Sequence, residues 1–391
     1  MKRSMSSVVV AVLLVMAVAA TAQPMAALSL DDDPPVSPPP STASPLLDAL
    51  TYEPLKRDSW DISFDFTDWS ALKAAHGGED ISSASPLQDR QRLMLDIARS
   101  EWSTEPLGLD RLAIWPERWG WDNTDLAWQA TLASGRVHVL RFREDWDPSL
   151  FIARLGEYGY SRSDKPHGIA FTAGPDADVP LDARLERVLG WERSFQDQPP
   201  VMPASVATSL DGRTLVMTRF GEAHKVLKWA ARADPDVVAD SPFGRVATAL
   251  GRPISATIID GRYGCPGTDE EVDYLPAEAA ALVRSVDPLH PYQALGIGYE
   301  RAGPGEPAVG RYVFAYGKAK HAKADLPGRR TLIDEGYSIR HGEPYRDAAF
   351  TLVDAAVDGR ELVLDVALVN DTPRILIDLL VGRSMSFATC S

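Results

Sequence analysis

The amino-acid sequence predicts an α+β protein built of two related lobes, each a mixed or antiparallel sheet with helices packed on one face. Three observations lead there. A short β-rich run, a polar or glycine turn and then an amphipathic Ala/Leu helix recur four times. In two of these units the helix ends in Gly-Tyr and another strand follows, at Gly159-Tyr160 and Gly336-Tyr337. Asp358-Gly359 joins two β-rich runs, 350–357 and 361–369, as a tight hairpin turn would, with both turn residues at positive φ.

The first unit alternates from Ile62 to Phe66, with Asp61 and Asp65 on the wet face, and offers Thr67 and Asp68 as caps for a helix through Leu72. The second runs from Val137 to Phe142, then Asp147-Pro148 opens a helix carrying Leu150, Ile152 and Leu155, and a strand follows over 169–172. The third has a strand over 215–220 and a helix from Glu222 through Trp229. The fourth has a strand over 312–316, a helix from Lys318 and a strand over 348–353. Units two and four read as βαβ arrangements. Ser85-Pro86 reads as the N-cap and first position of a further helix, with Leu87, Met94, Ile97 and Trp102 near one face.

The N-terminus carries Lys2 and Arg3, an apolar stretch from Val8 to Ala20, and a small-x-small site at Ala20-Thr21-Ala22. This is the pattern of a secretory signal peptide over 1–22, and cleavage after Ala22 leaves no membrane span. No cysteine stands near the cleavage site to carry a lipid. Residues 23–46, with Asp31 to Asp33 and a proline-rich run, read as a disordered acidic linker. Gln198-Pro-Pro-Val-Met-Pro203 marks the boundary between lobes 47–198 and 204–391. An exported chain whose two cysteines are Cys265 and Cys390 is expected to join them in a disulfide.

Composition is that of a globular protein, 45% hydrophobic and 24% charged, with a net charge of −15. Such a balance repels phosphate backbones, so nucleic acid is not an expected partner.

The Phe66-Thr67-Asp68-Trp69 junction, Trp119-Gly120-Trp121-Asp122, the Leu155 to Gly159-Tyr160 turn and the strand-plus-helix units resemble uncharacterised exported bacterial proteins, over about residues 47–391. The resemblance implies architecture and export. It implies no chemistry, and it carries no functional residue onto this chain.

The sequence offers no catalytic residue, cofactor cradle or metal set. There is no Gly-x-Ser-x-Gly elbow, and Gly382-Arg-Ser-Met-Ser386 fails as one. Ser70-x-x-Lys73 has the spacing of a serine activated by a lysine one turn on, but Ser-Asp-Asn and Lys-Thr-Gly are missing, and the pair reads as a solvated helix face. The seven histidines form no zinc motif. His321 and Asp325 read as an exposed i,i+4 pair among lysines. Asp269 to Asp273 read as acids at a helix start, and Gly317-Lys318 is followed by Ala where a phosphate loop needs Ser or Thr.

Tryptophan is the most distinctive signal: positions 102, 115, 119, 121 and 128 crowd one stretch. Core packing is the general expectation for indoles. Trp115-Pro116 and Trp119-Gly120 look loop-like, which makes Trp115 and Trp119 the candidates for stacking against a sugar ring. The expected function is therefore non-enzymatic, a binding or structural role in the extracytoplasmic space with a cell-surface glycan or protein as partner. The competing expectation is a secreted hydrolase of polysaccharide or peptidoglycan.

Overall fold

A computed structural model describes residues 44–53, 63–101, 111–132, 137–174, 205–218, 222–265, 275–301, 303, 305–339, 341–381 and 384–390, and the statements below concern these. The signal-peptide reading, the linker up to residue 43, the Pro-rich boundary, Trp102 and the acids of 269–273 lie outside the described residues. The linker is shorter than expected at its C-terminal end, because Ser44 caps a helix from Pro45 and Leu46 is fully buried.

The chain is α+β, as the sequence predicts. One sheet of twelve strands organises it, and every neighbouring pair is antiparallel. The first half supplies β1 (Ser63–Asp68), β2 (Leu126–Leu132), β3 (Val137–Phe142), β4 (Tyr160–Lys165), β5 (Gly168–Ala173), β6 (Ser205–Ser209) and β7 (Thr214–Thr218). The second supplies β8 (Ser255–Asp260), β9 (Ala294–Glu300) and β10 (Val309–Ala315), a separate small hairpin of β11 (Tyr337–Ser338) with β12 (Glu343–Pro344), then β13 (Phe350–Asp358) and β14 (Glu361–Leu368). The order across the sheet is β13-β14-β10-β9-β8-β1-β2-β3-β7-β6-β5-β4.

Alternation along the strands gives the sheet two apolar faces. Phe64 and Phe66 point to one and Leu140 and Phe142 to the other. Each such buried side chain adds about 1.5–3 kcal/mol over an exposed one. Helices cover both faces, where one was expected. The larger core receives α2 (Trp69–Ala75), α3 (Leu87–Ser100), α4 (Arg111–Trp119), α5 (Ser149–Glu157), α10 (Ala277–Ser285), α11 (Ala319–Asp334), α12 (Tyr345–Ala348) and α13 (Arg374–Val381). The smaller receives α1 (Pro45–Leu50), α6 (Ala223–Ala230), α7 (Pro235–Asp240) and α8 (Pro242–Leu250). The short α9 (Gly261–Gly264) leads into Cys265. Close approach of α8 to β9 depends on Gly296, where any Cβ would overlap Val246.

The two halves share a run of elements on either side of the β1–β8 pair, although the first adds β4 and β5 at its edge of the sheet. Each half opens on a Ser-Pro helix, α1 capped by Ser44 and α8 by Ser241. Its first strand ends on a capping aspartate, Asp68 or Asp260. A hairpin follows, β2–β3 or β9–β10, and then α5 or α11 ending at Gly-Tyr. A second hairpin turns at Asp211-Gly212-Arg213-Thr214-Leu215-Val216 in one half and Asp358-Gly359-Arg360-Glu361-Leu362-Val363 in the other. Both turn glycines have positive φ, 69° and 57°. The Arg213 carbonyl accepts from the Phe142 amide at 2.8 Å, and the Arg360 carbonyl accepts from the Tyr316 amide at 2.9 Å.

This arrangement corrects three expectations. β6 and β7 pair with β5 and β3, so the first half extends past residue 204 and ends beyond β7. The βαβ units do not form: the strand over 169–172 is β5, which runs opposite to β3 and is separated from it by β7 and β6, while β10 and β13 run in the same direction but are separated by β14. In the β13–β14 turn Asp358 pairs with Glu361, so the central residues are Gly359 and Arg360 and only the glycine has positive φ. That is the pattern of a type II′ turn, in which glycine holds the first central position.

Candidate functional site

Trp115 and Trp119 lie on α4, and both are 0% exposed. Trp115 packs edge-on against Trp121, with ring centroids 6.4 Å apart, and Trp119 lies 5.5 Å from Phe151. Neither offers a ring face to a ligand, which corrects the stacking expectation. Pro116 misled the sequence reading. A proline inside a helix removes the N–H that would bond the carbonyl four residues back, here Leu112. Arg90 replaces it: its Nη1 donates to the Leu112 carbonyl at 2.7 Å and to Asp122 Oδ2 at 2.5 Å, and its Nε donates to the Ser85 carbonyl at 3.0 Å. With that carbonyl satisfied, α4 continues through Pro116 and carries both indoles inward.

Ser70 and Lys73 sit on α2 but face different partners. Ser70 Oγ donates to the Ala127 carbonyl at 3.3 Å. Lys73 is only 2% exposed, correcting the solvated-face reading, and its Nζ donates to the carbonyls of Thr124 at 2.5 Å and Ile81 at 3.4 Å. Burial, aided by the charge of Arg143 and opposed by Asp125 and Asp122, brings its pKa down to about 8.

Carboxylates are likewise committed. Asp68 Oδ1 caps α2 by accepting from the Ala71 amide at 2.9 Å. Glu101, at the end of α3, accepts from Arg301 Nε and lies beside His76 Nε2, both at 3.1 Å. Burial pushes the Glu101 carboxyl up, but His76, Tyr299 and the Arg301 charge together hold it below its ordinary value. Arg301 also reaches Asp371 at 2.7 Å, tying α3 of the first half to β9 and the β14–α13 loop of the second.

His321 and Asp325 share α11, yet Asp325 is 2% exposed and turns to His290, 35 residues away. His290 Nδ1 lies 2.6 Å from Asp325 Oδ1, and the His290 amide donates to Oδ2 at 2.8 Å. Oδ2 also accepts from the Tyr316 hydroxyl at 3.0 Å. Arg329, fully buried, donates to Tyr316 Oη and to the Phe387 carbonyl, both at 2.6 Å, and to the Thr389 carbonyl at 3.2 Å. One residue further on, Cys390 is disulfide-bonded to Cys265, as expected, with Cα atoms 5.4 Å apart. The cluster therefore fastens the C-terminal segment. His321 stacks on His290 with ring centroids 4.1 Å apart and planes 15° from parallel. Imidazole lone pairs lie in the ring plane, so rings held in this way do not aim at one ion. Among the described residues no group of three or more His, Cys, Asp or Glu could hold a metal.

One exposed group of aromatic and basic side chains lies on α6, next to the β4–β5 turn. The helix buries Ala223, Val226 and Leu227 and turns Lys225, Lys228 and Trp229 outward, with Arg232 one turn later. Trp229 is 42% exposed. Lys165 and His167 of the β4–β5 turn adjoin this stripe electrostatically. Burial lowers the His167 pKa, and Arg232 and Lys228 lower it further. His224 is lowered by burial and by Lys165, Lys225 and Lys228, against the opposing charge of Glu222. The sequence places Trp229 on a helix, and the role of the cations around it emerges only in the fold. The signal the sequence carries is Lys225, Lys228 and Arg232 at i, i+3 and i+7, with Trp229 at i+4.

No family model matches the chain and no curated protein is similar to it. A solved structure described as crystal form I of TP0453 aligns with a TM-score of 0.34 at 9% identity, over 84% of this chain and 99% of that one. A likeness at that score carries no argument about this chain.

Proposed function

We propose that this is an exported protein with a non-enzymatic, binding role in the extracytoplasmic space. The observation that carries the reading is the commitment of its reactive groups to holding the fold. Lys73 is bound to two carbonyls, Asp325 to His290 and Tyr316, and Glu101 to Arg301 and His76.

The disulfide supports an oxidising compartment, since such bonds persist there and are rare where thiols are kept reduced. The positively charged, then apolar, N-terminus supports the same address. No helix among the described residues is long and apolar enough to cross a membrane. A hydrolase using Trp115 and Trp119 as its platform has the burial of both rings against it.

Two measurements test the reading. Fractionation of cells making the full chain should recover a protein shortened at its N-terminus outside the cytoplasm. A cell-wall pull-down with the mature protein should retain it without releasing soluble fragments. Full-length cytoplasmic protein would overturn export, and release of sugar or peptide fragments would overturn the non-enzymatic reading.

A further inference from the structure

We infer that the α6 stripe and the β4–β5 turn form a binding surface for an anionic glycan, a polymer of sugar rings carrying carboxylate or sulfate groups. The inference rests on the binding role proposed above and supplies its ligand class.

The surface combines two chemistries that such a polymer needs. Trp229 presents a flat indole, 42% exposed, against which the apolar face of a sugar ring can stack. Lys225 lies one helical turn before it, Lys228 adjoins it, Arg232 follows, and Lys165 at the end of β4 extends the positive ground toward the neighbouring turn. Two of these cations are uncommitted: neither Lys165 nor Lys228 has an ion-pair partner among the described residues. Lys225 pairs with Glu222 at 3.3 Å, and Glu222 also reaches His224 at 3.3 Å. Arg162 and Asp164 of β4 neutralise each other at 3.0 Å.

The net charge of −15 does not cancel this patch. At physiological ionic strength the screening length is about 8 Å, so a bound ligand responds to the charges it touches. The shape of the charge distribution favours a chain over a flat bilayer. Directly after the stripe, α7 and its flanks carry Asp234, Asp236 and Asp240, all exposed. An anionic membrane pressed on Trp229 would meet these carboxylates, whereas a polymer one ring wide can follow the cationic stripe past them. A neutral glycan would leave the lysines unused.

The test uses the mature protein and four probes: polygalacturonate, dextran sulfate, neutral dextran and vesicles of pure phosphatidylglycerol. Binding to the two anionic polymers, weakened by salt, with none to dextran or vesicles, is the expected result. Trp229→Ala should weaken binding about tenfold, the loss expected of an aromatic anchor. Lys165→Glu combined with Lys228→Glu should abolish it. Both variants alter exposed or partly exposed side chains, and an unchanged thermal unfolding midpoint verifies that each is folded. Failure to bind either anionic polymer overturns the inference, as does undiminished binding by both variants. Binding to vesicles alone assigns the surface to membranes and also overturns it. Retention on cell wall with no response to either variant overturns this surface while leaving the broader binding role standing. Release of fragments from a probe would overturn that broader role.

Discussion

Asp65 and Thr257 stand directly opposite each other in the β1–β8 pair, and Thr257 Oγ1 donates to Asp65 Oδ1 at 2.5 Å. The sequence reading put Asp65 on a wet strand face, but burial raises its pKa, with only the Thr257 hydrogen bond opposing. Because the folded state holds this proton more tightly than the unfolded chain, stability falls as pH rises through the raised folded value. Asp65→Asn keeps an acceptor for Thr257 and removes the buried charge. It should stabilise the protein at pH 7, with the gain vanishing below the ordinary carboxylate value of about 4. Chemical denaturation at the two pH values is the check, and an equal effect at both would contradict the burial argument.

Lys73 gives a pH dependence in the alkaline range. Its folded pKa of about 8 lies below the ordinary value of 10.5, so between those two points the unfolded chain binds more protons and stability rises with pH. Lys73→Met should remove that rise. It should also destabilise the protein by about 1–3 kcal/mol at neutral pH, because the Thr124 and Ile81 carbonyls lose their donor. Urea unfolding from pH 7 to 10 separates the two effects.

Arg90 and Pro116 should behave as a coupled pair. Arg90→Ala leaves Asp122 without its buried cation and the Leu112 carbonyl without a donor, a loss of about 3–5 kcal/mol. In a Pro116→Ala background the helix recovers its own N–H for Leu112, so removing Arg90 should cost measurably less. A double-mutant cycle reads the coupling directly, and strict additivity would refute the replacement of the missing bond by Arg90.

The C-terminal segment is held twice, by the Cys265–Cys390 bond and by Arg329. Thiol titration of the denatured, unreduced protein should find neither cysteine free. Reduction alone should leave the segment docked in the folded state while lowering stability by up to about 5 kcal/mol. Arg329→Met together with reduction should release it, measured as new proteolytic cleavage after residue 384.

Strand positions were legible where alternation was strong. The β1 pattern around Phe64 and Phe66, the β3 run to Phe142 and the pairing of the two cysteines all follow from local rules or from elimination. What escaped depends on partners distant in sequence. Arg90, 26 positions before Pro116, makes a helix out of what looks like a loop. His290 takes an aspartate that helical spacing offers to His321. The Asp-Gly-Arg-x-Leu-Val hexapeptide occurs twice and was readable, but its meaning appears only when both copies occupy equivalent hairpins of one sheet. The two-sided covering of that sheet was masked because its strands alternate apolar residues of both cores with buried Thr, Ser and Gln, as Thr67, Ser255 and Gln129 do.

The seam where Asp65 meets Thr257 also bears on the behaviour of each half. A first half produced alone would end at β1, whose outer edge would present unpaired N–H and C=O groups. Strand β1 of a second copy could satisfy them in the antiparallel direction that β8 adopts. Such a half is predisposed to an isologous homodimer. In the present chain β8 occupies that edge, and α6 with its exposed Trp229 belongs to the first half.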